Sequence, residues 1–167
     1  MDKKENPAWR EIPVKTFIEA LRSFEFWRQR VHLDGVNDNA GAIHSGERMA
    51  ELLSLKIVYP GLTHIDLLRF HEYAWFSKSA KTAFNNDHRA NIEIEHVFPK
   101  RVYTVELLSL ISKGATHEEV TAWIADNFKL ALLTPDERLE VDKLDRTVNR
   151  QDRLLIIRMC EEPDRTV

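Results

Sequence analysis

The chain has 167 residues, 43% of them hydrophobic and 31% charged, with a formal net charge of −3. That length suits one domain with a substantial core, and the slight acidity argues against a surface coated broadly for nucleic-acid phosphates. No apolar run reaches the roughly twenty residues of a membrane span. Met1–Pro7 lacks the apolar stretch of a signal peptide, and the lone Cys160 excludes an internal disulfide or a cysteine zinc cluster, so a reducing cytoplasm is expected.

The first predicted helix covers Glu11 to Val31, where Val14, Phe17, Ile18, Leu21, Phe24 and Val31 recur near three- and four-residue steps. Phe26 and Trp27 widen that stripe, which predicts a deeply packed helix. An aromatic stripe of this kind is also a candidate face for a protein partner or a second copy. Leu33 to Gly41 is turn chemistry and reads as a loop. Its acidic and amide residues lack the spacing and closing glutamate of a calcium loop. A second helix is predicted from Ser45 to Leu55, ending before Tyr59-Pro60-Gly61. Thr63 then caps a predicted third helix, His64 to about Phe84, with Ile65, Leu68, Tyr73, Trp75 and Phe76 among its apolar residues. His64 and His71 could share a face of it, but no third ligand joins them at helical spacing. Asn85 to Arg89 is a polar connector.

The sequence Asn91-Ile92-Glu93-Ile94-Glu95-His96-Val97-Phe98-Pro99-Lys100 carries the most chemistry. Ile92 and Ile94 alternate with Glu93 and Glu95, the period of a half-buried strand, and Pro99 prevents its continuation as a central strand. A carboxylate beside an imidazole at a strand end can place a metal ion and a general base together. A helix is predicted from Lys100 to Ser112, stopped by Gly114, and another follows the capping-box spacing Thr116-His117-Glu118-Glu119. The run Asn127 to Leu133 reads as a second strand. Thr134 is then an N-cap, with Pro135 at the first helical position and Glu137 at capping-box spacing. A last helix is predicted over Gln151 to Cys160, with Cys160 buried and inert.

The order strand, acid–histidine, insertion, strand, capped helix resembles the ββα-metal core of HNH nucleases. Glu-His-Val-Phe-Pro resembles the first motif of that family, and Leu-Leu-Thr-Pro-Asp-Glu-Arg resembles its strand-to-helix segment. The resemblance spans about Asn91 to Asp145. It implies a mainly helical α+β fold, a two-stranded antiparallel hairpin plus helix, with a helical region over 1–84 and the core over 85–167, together forming one compact domain. It also implies a divalent cofactor, Mg²⁺ or a similar first-row cation. By the same resemblance His96 matches the general base, Asn127 the residue that orients it, and Glu95 a metal ligand. Arg138 stands where the last ligand is usual; a guanidinium stays protonated and cannot bind a cation. Glu137 or Asp142 would then have to serve, with Lys100, Arg101 and Arg138 as phosphate contacts. Two functions follow from this reading. One is a metal-dependent nuclease, with DNA favoured over RNA as the partner. The other is a catalytically degenerate HNH-like protein that binds nucleic acid or protein.

Overall fold

The Pro13 carbonyl accepts from the amides of Thr16 and Phe17 at 2.9 and 3.4 Å, and so starts helix α1, Val14–Leu33. This computed structural model describes residues 12–33, 39–62, 64–70, 74–143, 156 and 158–161. The chain divides into two compact units, Met1–Gly61 with Thr104–Ala125, and Leu62–Tyr103 with Asp126–Val167. Residues 62–84 belong with the strands, and most of the helical insertion belongs with the N-terminal helices.

In the first unit α1 packs on α2, Asn39–Val58. Gly46 of α2 is the close approach: a Cβ there would lie 2.9 Å from the Phe24 ring and 3.6 Å from Leu108. Ile18, Leu21 and Glu25 form the buried row of α1, at three- and four-residue steps. Phe26 and Trp27 follow Glu25 directly, so the helical turn rotates them off this row, and both are exposed. The expected deep packing of that pair is thereby corrected. Buried Glu25 is satisfied on its own helix by Arg28, at 2.6 and 2.8 Å, and by Gln29 at 2.9 Å. The second helix begins earlier than Ser45, taking Asn39 to Gly41 from the predicted loop, while residues 34–38 of that loop lie outside the described residues.

Helices α4, Lys100–Ser112, and α5, His117–Asn127, form as expected. Gly114 lies between them at a φ of 86°, a left-handed conformation that favours glycine. Thr116 and Glu119 make the reciprocal cap, at 2.8 and 3.2 Å.

The second unit departs further from the sequence expectation. The predicted helix from His64 to Phe84 is instead a 3-10 turn, Ile65–Phe70, then strand β1, Trp75–Ser77, then helix α3, Lys78–Asn85. The cause is tertiary. Trp75 and Phe76 pair with Ala131 and Leu132, and Ser77 ends the strand by accepting from the Ala80 amide at 3.0 Å as the N-cap of α3. Thr63 and His71 lie outside the described residues.

Strand β2, Glu93–His96, pairs antiparallel with β3, Leu130–Leu133, in the register Glu93 to Leu133 through His96 to Leu130. This pair was expected, but it does not form the sheet alone. The described order is β2-β3-β1-β4, with β1 parallel to β3 and β4, Cys160–Glu161, antiparallel to β1. Central β3 is buried at every position, which explains its continuous apolar run. Helix α6, Pro135–Asp142, packs on β2 and β3. Its Val141 joins Val97, Ala131, Leu133, Ile156 and Cys160 in one core cluster, with Trp75 packed against it. The predicted last helix falls mostly on residues outside those described, and Cys160 lies in β4. The fold is thus α+β and mainly helical. Among the described residues no helix is long and apolar enough to cross a membrane.

Candidate functional site

Successive strand residues point to opposite faces, so Glu93 and Glu95 of β2 share one face. That face meets α6. The turn from β3 into α6 is set by Thr134 and Glu137, whose capping box puts Arg138 one residue further into the helix. Arg138 then reaches back across β2. Its Nη1 donates to Glu93 Oε2, and its Nε lies 3.5 Å from Glu95 Oε2. Glu95 is only 7% exposed, so the guanidinium supplies positive charge to a carboxylate that water barely reaches. The hydrogen bond that Arg138 donates to Glu93, opposed by partial burial and assisted by both carboxylate charges, raises the Arg138 pKa above its ordinary value. Arg138 therefore stays charged at any physiological pH.

His96, one residue on, belongs to the other face. Its ring meets Phe128 edge-on, with centroids 6.2 Å apart, and Phe128 in turn contacts Tyr103 at 5.5 Å. Its Nε2 is buried. Strand alternation therefore separates the Glu95 carboxylate from the His96 imidazole, although the two residues are adjacent in sequence. Asn127 ends α5 and is half-buried, and both it and His96 belong to the second unit.

Glu137 is committed elsewhere. Its Oε2 accepts from Ser77 Oγ at 2.6 Å, the Thr134 amide at 2.8 Å and Thr134 Oγ1 at 3.1 Å. Burial pushes its pKa up, but the hydrogen bonds from Ser77, Thr134 and Ser79 outweigh this and hold it below the ordinary carboxylate value. One carboxylate thus ties the N-terminus of α6 to the N-cap of α3. Asp142, the other substitute ligand, is exposed at the far end of α6.

Lys100 and Arg101 open α4, half-buried and exposed respectively. Lys81, which could have extended a basic patch, lies over the Phe76 ring at 4.6 Å. Arg138, expected on phosphate, is paired here with Glu93 and Glu95. Cys160 is buried, and that burial, with the nearby Glu137 charge, pushes its thiol up to about 12, which leaves it inert as a nucleophile.

No protein-family model, curated protein or solved structure matches the chain.

The residues at this place do not fit the divalent ion implied by the HNH resemblance. Arg138 holds both carboxylates of β2, and Glu137 is absorbed by a capping box and Ser77. Among the described residues no group of three or more His, Cys, Asp or Glu side chains is placed to hold a metal. Glu93 is the member that sequence reasoning missed. Its spacing of two from Glu95 on an alternating strand was the available signal.

Proposed function

We propose that this chain is a ββα-metal-like binding module for nucleic acid, DNA foremost, in which a guanidinium takes the place of the catalytic ion. The contact of Arg138 with Glu93 and Glu95 carries the reading. A divalent ion from solution would have to displace a cation that the fold itself tethers beside the two carboxylates, and tethering gives that cation a high effective concentration. What remains for the partner is the start of α4, where Lys100 and Arg101 stand at a helix N-terminus, a place suited to phosphate oxygens.

A nuclease reading keeps one support, the Glu95-His96 pair immediately upstream of Lys100 and Arg101. The two readings separate in one set of measurements. Wild-type protein should bind a DNA duplex with salt-dependent affinity and leave it uncut in Mg²⁺, Mn²⁺ or Zn²⁺. Removing Lys100 or Arg101 should lower the salt slope of binding by about one each. Cleavage that needs a divalent ion and disappears in His96→Ala would establish the nuclease instead. Arg138→His frees both glutamates and should raise Mn²⁺ affinity in calorimetry. Absence of DNA binding by the wild type at low salt would remove the binding-module reading.

A further inference from the structure

Two cations of the second unit, Arg101 and Lys129, meet at one end of the sheet from different elements. The pairing of β2 with β3 runs on past His96 and Leu130, because the Val97 amide donates to the Lys129 carbonyl at 3.0 Å. Lys129 therefore stands beside Val97, and from Val97 the chain turns through Phe98 and Pro99 directly into Lys100 and Arg101 of α4. Neighbouring strands lie about 5 Å apart, so all three basic side chains spring from the same end of the sheet. Buried Phe128 and Leu130 fix the backbone on either side of Lys129, whose own side chain is half-buried. Among the described residues the Lys129 ammonium has no hydrogen bond and no ion pair, and the exposed Arg101 guanidinium has none either. Other cations differ: Arg22, Arg28, Arg48, Arg138 and Lys143 each meet a glutamate. Asp126, exposed at the end of α5 just ahead of Lys129, does not pair with it.

We infer that Lys129 completes, with Lys100 and Arg101, a site for the backbone phosphates of nucleic acid. This rests on the binding-module reading and extends it from the start of α4 to the start of β3. No carboxylate has to be displaced from Lys129 or Arg101, so each brings its full charge to the contact, and each phosphate it neutralises releases counterions. The sheet already holds the stem of Lys129, which limits the ordering cost of binding. Contacts to phosphate fix position and carry no sequence information, so the site is indifferent to base sequence.

Fluorescence anisotropy with two short DNA duplexes of unrelated sequence, over a salt series, tests this. Lys129→Gln should weaken both complexes by about tenfold at low salt and reduce the salt slope by about one, with an unchanged urea midpoint. Lys129→Arg should restore affinity and slope, because it keeps the charge. Asp126→Asn should strengthen binding by about twofold, because it removes a like charge near the phosphates. Lys78 serves as the control. It is exposed and follows β1, which runs parallel to β3, and so it lies at the opposite end of the sheet, about 17 Å along the strands from Lys129. Lys78→Gln should leave the slope unchanged. A Lys129→Gln protein with the wild-type slope overturns the inference while leaving the reading built on Lys100 and Arg101 in place. Equal losses of slope in Lys78→Gln and Lys129→Gln also overturn it, because they assign the effect to net charge. A loss confined to one of the two sequences overturns the phosphate contact. A wild type that binds neither duplex at low salt removes the inference and the binding-module reading together.

Discussion

Replacing Glu137 with alanine should cost stability rather than metal affinity, and the structure sets the size. The substitution removes the acceptor of the Thr134 amide, a capping interaction worth about 1 kcal/mol. It also takes the acceptor from the Ser77 hydroxyl, which is 1% exposed and bonded to Glu137 at 2.6 Å. Leaving such a donor buried without its partner costs about 1–3 kcal/mol. The sum is about 2–4 kcal/mol, read as a lower midpoint in urea denaturation or as roughly 2–4 °C of Tm per kcal/mol in a chain of this size. Glu137→Gln keeps the shape and one acceptor oxygen but loses the charge, and should cost about 1 kcal/mol. A double-mutant cycle with Ser77→Ala should return a coupling of about 1 kcal/mol, because the two side chains share one hydrogen bond. The pH dependence has a definite sign. The folded pKa of Glu137 lies below the ordinary carboxylate value of 4.5, so its contribution is complete above the unfolded pKa and is lost as pH falls through the folded one. The wild-type advantage over Glu137→Gln should therefore persist at neutral pH and shrink in acid below 4.5. A Glu137→Ala protein within about 0.5 kcal/mol of wild type, or a deficit unchanged in acid, would refute the assignment of Glu137 to this junction.

Arg138→Met should destabilise the protein by about 1–3 kcal/mol, because buried Glu95 loses its counter-charge; adding Glu95→Gln should recover part of that loss in the same denaturation assay. Gly46→Leu should cost about 2–3 kcal/mol by overpacking, since even a Cβ would meet the Phe24 ring at 2.9 Å. Gly46→Ala should stay within about 1 kcal/mol of wild type, as the higher helix propensity of alanine offsets a small displacement of the ring edge. Cys160 should resist a disulfide reagent at mildly alkaline pH until the protein is unfolded. With its thiol raised from 9.0 to about 12, stability should decline as pH climbs through that interval, because the unfolded chain ionises first.

What was legible in the chain was local. The capping boxes at Thr116 and Thr134, the stop at Gly114 and the helix Lys100–Ser112 depend on residues within one turn of each other, and all are present. The pairing of β2 with β3 was legible as well, since alternation around Ile92 and Ile94 and the continuous apolar run before Thr134 are strand patterns in themselves. Beyond that range tertiary contacts decided. Trp75 and Phe76 could be packed in a helix or in a sheet, and only the neighbouring β3 made them a strand. Phe26 and Trp27 match a helix-core pattern in composition, but the buried row passes through Glu25 instead, because Arg28 neutralises that carboxylate and Gln29 donates to it from the same helix. The same holds for the candidate site. Glu95 and His96 are adjacent in sequence, and a carboxylate next to an imidazole reads as shared chemistry. A strand turns neighbours to opposite faces, and across one of those faces α6 delivers Arg138 to Glu93 and Glu95. The residue types were visible from the chain alone. Which charge meets which was set by the docking of a helix onto a strand more than forty positions away, as the 45-residue separation of Arg138 and Glu93 records.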